Sequence, residues 1–332
     1  MSSELLSVEN LVTHFHAKGS DAGRRSSVVR AVDGVSFSVS AGETFALVGE
    51  SGCGKSTTAR SILRLIEPTS GMVRFRGVDV SSCGNRELRR IRRDMQMVFQ
   101  DPYSSLNPRM TIEQIVAEPL IVHRIASRSE SRDRALKLLD RCGLDRKYAG
   151  RYPHAFSGGQ RQRVVVARAL ATSPKLVVAD EPVSALDVSI QSQIMNLLCD
   201  LQEEFGLAYV LISHDLAVVR HMADRIGVMY LGKLVEESPI DEFYRNPKHP
   251  YSTALLSAIP RKNPRDTSRR IVLSGEVPSP TNPPGGCPFH TRCPHVMPHC
   301  HHDVPGVHTD EHEHSVACHL FDASRRPTHE RE

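Results

Sequence analysis

The sequence of 332 residues lacks three features that would each point to a definite class of protein. It has no apolar run near the ~18 residues that a membrane-spanning helix needs. Its first residues show neither the basic nor the apolar segment of a secretory signal, so we expect a cytosolic chain. Its 42 Lys and Arg nearly balance its 38 Asp and Glu, which gives no electrostatic case for a nucleic-acid partner.

The composition is that of an ordinary globular protein. Hydrophobic residues make up 39% and charged residues 24%, so wholesale disorder and collagen-like repeats are excluded. The length suggests about two domains. Cysteine and histidine concentrate near the C-terminus, after a stretch rich in Pro and Gly at 278–286. We therefore expect a core domain over residues 5–238 and a C-terminal extension over 239–332, with a Cys-rich module at 287–318.

Short apolar runs predict buried strands, and they alternate with patterns that predict helices. This alternation is typical of a parallel sheet in the α/β class. Two earlier segments, 6–15 and 28–39, predict strands without an intervening helix and hence a small antiparallel sheet. A hairpin pattern over 226–236 ends the core. The predicted buried strands are 44–48, 176–179 and 208–212, and the predicted helices are 55–65, 131–142, 159–171 and 190–205.

A glycine-rich turn follows the first buried strand and opens a helix. Residues 49–56 read Gly-Glu-Ser-Gly-Cys-Gly-Lys-Ser, a full match to GxxxxGK[ST]. The glycines let backbone N–H groups approach a β-phosphate, and the helix N-terminus favours its negative charge. Lys55 can reach the β- and γ-phosphates, and the Ser56 hydroxyl can ligate Mg²⁺. The candidate nucleotide-contacting residues of this loop are Gly49, Ser51, Gly52, Cys53, Gly54, Lys55, Ser56 and Thr57.

An apolar strand that ends in two carboxylates supports the same site. Residues 176–179 run directly into Asp180 and Glu181. At the carboxyl edge of a parallel sheet, Asp180 would face the metal and Glu181 could polarise an attacking water. Alone this pattern is weak, since a solvated strand end is the simpler interpretation. Beside a phosphate loop it strengthens the prediction of a nucleotide-hydrolysing site.

Further motifs follow in the order that is found in the ABC-type ATPases. Residues 157–160, Ser-Gly-Gly-Gln, resemble the signature motif of that family, with Phe156 in place of the usual leading leucine. Gln100 resembles the Q-loop glutamine, Asp187 the D-loop aspartate and His214 the switch histidine. The resemblance covers residues 5 to about 240. The residues that carry the signature are Ser157, Gly158, Gly159 and Gln160.

The resemblance implies a P-loop NTPase fold: a RecA-like core, an antiparallel β subdomain, a helical signature subdomain at approximately 101–165 and a Cys-rich C-terminal extension. It implies ATP and Mg²⁺ as cofactors, with Phe15 stacked on adenine. ATP would then lie between the phosphate loop of one subunit and the signature of another, in a head-to-tail dimer. The implied catalytic residues are Lys55, Glu181 and His214, and the implied Mg²⁺ ligands are Ser56, Gln100 and Asp180.

Several short stretches of sequence resemble one branch of the family. Residues 98–109, 180–190 and 286–294 are similar to the ATPase subunits of bacterial oligopeptide and dipeptide importers, and more like the second of two paired ATPases. This implies a heterodimer with a paired non-identical ATPase, two transmembrane permease subunits and an extracytoplasmic solute-binding protein. The chain would sit peripherally at the cytoplasmic face of the inner membrane, with residues 102–121 receiving the permeases.

Other functions remain open from the sequence. Related importers carry nickel, glycosides or other small solutes with similar ATPases. A soluble ABC protein is a second class, although such proteins typically carry two cassettes or a coiled-coil insertion. A third is a metal-dependent sensor in which the Cys-rich module is the working part.

Four cysteines of the extension are spaced C-x5-C-x6-C-x17-C, at Cys287, Cys293, Cys300 and Cys318. A Pro- and Gly-rich segment with little hydrophobic core of its own needs a covalent or metal cross-link for stability. A reducing cytosol argues against disulfides. Four thiolates suit zinc or an iron–sulfur cluster, and the spacing does not decide between them. Resemblance to the peptide-importer ATPases implies a [4Fe–4S] cluster, with zinc or no metal as alternatives.

Lys55→Ala should weaken nucleotide binding, because it removes the ammonium group that contacts the phosphates. A hydrogen bond to a charged group of this kind corresponds to a loss of roughly 10- to 100-fold in affinity. Equilibrium binding of a fluorescent ATP analogue to the purified chain measures it, with Lys137→Ala in the predicted helix 131–142 as the matched control. Equal affinity in the two variants would contradict the phosphate-loop assignment.

Overall fold

The computed structural model describes residues 4–17, 27–259 and 271–322. Over these residues the strands form two sheets, flanked by helices and a few single-turn 3₁₀ helices. The strands are β1 (Glu4–Ala17), β2 (Ser27–Ser40), β3 (Thr44–Val48), β4 (Ser70–Phe75), β5 (Val78–Asp79), β6 (Met95–Val98), β7 (Leu176–Asp180), β8 (Ala208–Ile212), β9 (Arg225–Tyr230), β10 (Lys233–Pro239), β11 (Val307–Thr309) and β12 (Ser315–Ala317).

The helices connect these strands and cover the larger sheet. Those between β6 and β7 are consecutive and pack on one another. The helices are α1 (Lys55–Ile62), α2 (Asn85–Asp94), α3 (Pro102–Ser105), α4 (Ile112–Val122), α5 (Arg128–Arg141), α6 (Gly158–Leu170), α7 (Val188–Phe205), α8 (Leu216–Met222), α9 (Ile240–Arg245) and α10 (Pro250–Ser257).

The larger sheet has the order β11-β12-β10-β9-β3-β8-β7-β6 within the described ranges. Its central strands are parallel: β3 lies between β8 and β9, and β7 lies between β6 and β8. Every residue of β3, β7 and β8 is buried. Parallel strands covered on both faces have this continuous apolar character, so the sequence prediction of an α/β fold is confirmed.

The smaller sheet is antiparallel and has the order β2-β1-β4-β5 in the part of the chain that is described. It packs against one face of the larger sheet, where the rings of Phe37 and Phe45 stack with centroids 4.6 Å apart. Alternate residues of β3 enter different cores. Phe45 and Leu47 belong to the core under the small sheet, whereas Ala46 and Val48 belong to the core under the helices.

Side-chain caps fix where several helices begin. Asp101 accepts hydrogen bonds from two backbone N–H groups at the start of α3. Ser157 and Gln160 form a reciprocal capping box at the start of α6. At α4 the Gln114 side chain accepts the Thr111 N–H at 2.9 Å. Such caps satisfy N–H groups that lack partners within a helix. Helices α3 to α5 lie in the range expected for a helical subdomain, whose limits of about 101–165 stay a prediction.

The C-terminal residues extend the larger sheet. Strand β12 pairs antiparallel with β10, with Glu236 opposite Val316. Behind this pairing the Glu236 carboxylate and the His314 ring, both fully buried, are joined at 2.6 Å. The chain therefore remains in close contact across the predicted boundary between residues 238 and 239, and the predicted division into 5–238 and 239–332 stays a prediction.

Among the described residues, we find no helix with both the length and the apolar character needed to cross a bilayer.

His249 should make stability depend on pH. It is 1% exposed, and its Nδ1 accepts the Tyr251 N–H at 3.1 Å as the cap of α10. Burial lowers the pKa of His249 to about 4 from about 6.5. The unfolded chain therefore takes up this proton first, and stability that is complete above about pH 6.5 is lost as the pH falls toward 4.

Between pH 7 and pH 5 this group alone should cost about 2 kcal/mol. His249→Asn keeps a capping side chain but cannot titrate, so it should lose correspondingly less stability over the same interval. Urea unfolding of both proteins at the two pH values measures the difference. Equal losses in both would exclude His249 as the titrating group.

Candidate functional site

Four loops meet at the carboxyl edge of the larger sheet. Strands β3, β8, β7 and β6 are neighbours in that order, and each pair is parallel. The glycine-rich loop 49–54 follows β3, and Gln100 follows β6. Glu181 follows β7, and His214 follows β8. Residues that are far apart in sequence therefore face one another here, as the rule for open parallel sheets predicts.

The glycine-rich loop turns tightly against the neighbouring strands. Gly49 and Gly54 have φ values of 150° and 109°, and a Cβ atom on either would clash with a backbone carbonyl, of Met229 and of Ala31 respectively. Only glycine fits such positions. The Lys55 ammonium is buried and donates to the carbonyl oxygens of Gly49 at 2.7 Å and Glu50 at 3.0 Å. The loop thus wraps around the lysine that its motif assigns to the phosphates.

Ser56 and Asp180 form the candidate metal pair. The Ser56 hydroxyl donates to Asp180 Oδ1 at 2.9 Å, and Asp180 is 2% exposed. Burial raises the pKa of Asp180, and the hydrogen bond from Ser56 only partly offsets this. A carboxylate beside a hydroxyl is an oxygen donor set that suits Mg²⁺, and a cation would compensate for the burial of the charge. These residues therefore fit the predicted metal.

Glu181 lies between two polar side chains. Gln100 Nε2 donates to Glu181 Oε2 at 2.6 Å, and His214 Nδ1 is 3.0 Å from Glu181 Oε1. The Glu181 backbone is in the left-handed region at φ 49°, and its N–H donates to the Ile212 carbonyl at 2.9 Å. A non-glycine residue in this region is uncommon and is often found at functional sites. Gln100 thus contacts the predicted catalytic carboxylate, whereas Ser56 contacts Asp180.

The signature residues form the N-terminus of α6. Ser157 Oγ accepts the Gln160 N–H at 3.4 Å, and Gln160 Oε1 accepts the Ser157 N–H at 3.0 Å. In the described part of the chain, no hydrogen bond joins residues 157–160 to the loop at 49–56. A Cβ on Gly159 would lie 2.5 Å from Ile190 Cγ2, so α6 begins in close contact with α7.

The remaining predicted residues lie around these groups. Phe15 is 40% exposed on β1, opposite Val29 of β2. Cys53 is buried, and burial raises the pKa of its thiol. Asp187 directly precedes α7. The roles assigned to these residues, and to Ser51, Gly52 and Thr57, stay predictions.

Sequence reasoning missed three residues at the phosphate loop. Glu50 N–H donates to the Tyr251 hydroxyl at 2.8 Å, and the Glu50 carboxylate accepts two hydrogen bonds from Arg292, at 2.7 and 3.1 Å. Tyr251 lies on α10 and Arg292 in the Cys-rich module. One signal was available: an acidic residue inside an anion-binding loop requires a cation nearby.

The prediction of an iron–sulfur cluster at the four cysteines is not supported and is corrected here. None of the four cysteines of the module, all of which lie within the described residues, forms a disulfide. Among the described residues, the His, Cys, Asp and Glu donors that converge within 4.8 Å are His299, Cys300 and His319, which is a different set from the four thiols. Burial raises the pKa of Cys287 to about 11 and of Cys318 to about 12.

The module is held by ordinary contacts in this structure. The Cys287 N–H donates to the Cys300 carbonyl at 2.9 Å. Cys287, Cys300 and Phe289 are buried members of the main hydrophobic core. The cluster was implied by the resemblance alone, and the names of the matching family and relatives record none, so neither the cluster nor zinc at these thiols has support.

Comparison with known proteins agrees with the site geometry. Residues 32–184 match the family model described as ABC transporter, and residues 235–300 match the one described as oligopeptide/dipeptide transporter, C-terminal region. The chain is 52% identical over 320 residues to the oligopeptide transport ATP-binding protein AppF of Bacillus subtilis, covering 96% of this chain and 97% of that one. It belongs to the ABC transporter ATP-binding proteins. It is also 49% identical over 316 residues to the di/tripeptide transport ATP-binding protein DppF of Pseudomonas aeruginosa, covering 95% and 97% of the two chains.

A solved structure of an ABC cassette has the same fold. The dimeric structure of MJ0796, a bacterial ABC transporter cassette, superposes with a TM-score of 0.63 at 34% identity, over 71% of this chain and 99% of that one. The ABC ATPase fold with its mixed sheets and helices is therefore established for this chain. ATP hydrolysis is the activity of the family.

The expected heterodimer is a second correction. The relatives are named as ordinary ATP-binding proteins of peptide transporters, and their names record no second, non-identical ATPase. The prediction of a paired non-identical subunit is therefore wrong as it was made.

Gly159→Ala should destabilise the protein, although glycine-to-alanine exchange within a helix ordinarily stabilises by about 1 kcal/mol. The added Cβ would meet Ile190 Cγ2 at 2.5 Å, and such overpacking costs roughly 1–3 kcal/mol. Urea unfolding measures the sign. Ile190→Leu removes the Cγ2 branch at equal volume, so the double variant should recover part of the loss relative to Ile190→Leu alone. A stabilised Gly159→Ala protein would refute this packing.

Proposed function

We propose that this chain is the ATP-hydrolysing subunit of an ABC importer for peptides. The observation that carries the proposal is the position of the Glu181 carboxylate, held by Gln100 and His214 beside the Ser56–Asp180 pair. The peptide specificity is supported by the relatives, which are named for oligopeptide and di/tripeptide transport. Nickel, glycosides, a ribosomal or DNA-repair partner and a sensing role have no comparable support.

In the proposed reaction, Lys55 contacts the β- and γ-phosphates of ATP and the loop N–H groups surround them. Glu181 accepts a proton from the attacking water, and His214 orients the carboxylate through Nδ1. Gln100 holds the second carboxylate oxygen at 2.6 Å. Ser56 and Asp180 would hold Mg²⁺, with Gln100 nearby, and the ion would supply positive charge beside the phosphates.

Two cassettes would complete each site. The N-terminus of α6, capped by Ser157, is an anion-binding helix end that no hydrogen bond connects to this chain's own loop at 49–56 in the described residues. A head-to-tail pair places it against the ATP of the other cassette. MJ0796, 34% identical to this chain, is described as a dimer. ATP binding would then close the pair and hydrolysis would open it.

The membrane permeases would dock near α4. A groove of about 400 Å³ runs between α4 and β6, with Met97 and Phe99 on one side and Pro119 on the other. Beside it Ile121 and Val122 are 41% and 49% exposed, and on α3 Tyr103 is 67% exposed. Exposed apolar side chains close to Gln100 suit a protein partner whose movement must reach the ATP site. The chain would thus be held peripherally at the cytoplasmic face of the inner membrane.

Glu181→Gln should bind ATP with near-normal affinity yet hydrolyse it roughly 10²- to 10⁴-fold more slowly, the usual contribution of a general base. The amide preserves the shape and keeps one of the two acceptor oxygens, but it cannot take the proton. Steady-state ATPase activity and nucleotide binding of the assembled transporter measure the two effects. Near-normal turnover would remove Glu181 from the catalytic role.

The same variant tests peptide import. Cells that depend on a supplied dipeptide for an essential amino acid should stop growing when Glu181→Gln replaces the wild-type chain, while growth on the free amino acid continues. Wild-type cells provide the reference for both media. Continued growth on the dipeptide alone would contradict the proposed substrate class even if ATP hydrolysis is lost.

A further inference from the structure

The C-terminal module contacts the phosphate-binding loop directly. Arg292 donates to both carboxylate oxygens of Glu50, from Nη1 at 2.7 Å and from Nη2 at 3.1 Å. The arginine side chain is 8% exposed and the glutamate 30%. A bidentate pair fixes both distance and orientation, and it is stronger than a contact through one oxygen. Glu50 is the residue that directly follows the first glycine of the loop.

Glu50 is held at its main chain as well. Its N–H donates to the hydroxyl of Tyr251 at 2.8 Å. Its carbonyl oxygen accepts from the Lys55 ammonium at 3.0 Å. A displacement of Glu50 would therefore also displace the ammonium group of Lys55, which is assigned to the phosphates. Side chain, N–H and carbonyl of one loop residue thus join the Cys-rich module, α10 and the lysine.

The support behind these anchors is rigid. The rings of Tyr230, Tyr251 and Phe289 pack on one another with centroids 4.9 to 5.4 Å apart, and each is at most 1% exposed. The Arg292 N–H donates to the Phe289 carbonyl at 3.0 Å, and its guanidinium lies 5.9 Å from the Tyr230 ring centroid. Buried aromatic packing of this kind fixes the position from which Arg292 reaches the loop.

The ion pair also removes an unfavourable negative charge from the phosphate-binding loop. The loop receives a polyphosphate, and an unpaired carboxylate within it would oppose that ligand. Arg292 neutralises the charge of Glu50, so that Glu50 no longer repels the phosphates and instead attaches the loop to the C-terminal module. The hydrogen bonds that Arg292 donates to Glu50 raise the pKa of Arg292, so the guanidinium stays charged at every relevant pH.

We propose that Arg292 is a positioning residue for ATP binding: acting through Glu50, it holds the phosphate-binding loop in the conformation that receives the nucleotide. The C-terminal module thereby sets the ATP affinity of the cassette. This inference rests on ATP binding at residues 49–56 and is independent of the transported solute.

Arg292→Gln and Glu50→Gln each break the ion pair while keeping hydrogen-bonding side chains of similar length. Each should raise the KM for ATP and the Kd of a fluorescent ATP analogue by roughly 5- to 20-fold, at the lower end of the usual range for coupling between sites. The kcat of the assembled transporter should change less than twofold, as is expected when uniform binding is lost. Arg292→Lys, which keeps the charge but not the fork, should fall between wild type and Arg292→Gln.

The matched control is Lys248→Gln. Lys248 pairs with Asp310 at 2.6 Å in the same extension and has no contact with the loop among the described residues. It should leave both KM and Kd unchanged. The double variant Arg292→Gln with Glu50→Gln should bind ATP no more weakly than the single ones, because both remove one interaction.

Two results would overturn the inference. One is an unchanged KM and Kd in Arg292→Gln. The other is a fall in kcat at constant KM that matches a smaller folded fraction, which would mean that Arg292 only packs the module. A wrong assignment of the ATP site would give a different result. In that case the Lys55→Ala substitution would not weaken nucleotide binding, either in the wild type or in Lys248→Gln.

Discussion

The parallel pairing of β3, β8, β7 and β6 is the constraint on which the site depends. Parallel strands end at the same edge, so the register that sets Leu47 beside Ile212, and Ile212 beside Asp180, also sets the loops that follow them side by side. The strand pairing alone is enough to bring together the glycine-rich loop, the carboxylates and His214. The continuous burial of these strands makes a slip of register costly, because a one-residue slip would exchange the side chains of the two cores.

Much of this arrangement could be predicted from the sequence. Fully buried strands are visible as unbroken apolar runs, and the glycine-rich motif identifies the turn between β3 and α1. Boundaries were less accurate for a physical reason. The pattern over 55–65 predicted helix to its end, whereas α1 stops at Ile62 and Arg64 adopts a φ of 50°. Leu63 is still buried there, so burial continues the apolar pattern after the helix has ended.

The C-terminal extension could not be predicted in the same way. Cysteine spacing constrains which donors are available, but convergence depends on a backbone path that contains few regular elements after residue 271. The contact between Glu50 and Arg292 joins residues 242 apart in sequence. No local pattern reports such a pair, because each residue alone is compatible with a solvated side chain. Only the unpaired charge within an anion-binding loop hints that a partner must exist.

The predicted boundary near residue 238 consequently does not mark a gap in the contacts. Strand β12 continues the sheet next to β10, and the buried pair of Glu236 and His314 stabilises that junction from within. The same extension reaches the phosphate loop through Tyr251 and Arg292. Because a loop that binds polyphosphate gains affinity when its conformation is fixed beforehand, rigid support from outside the cassette motifs has a direct effect on nucleotide binding. The extension therefore forms part of the framework of the ATP site.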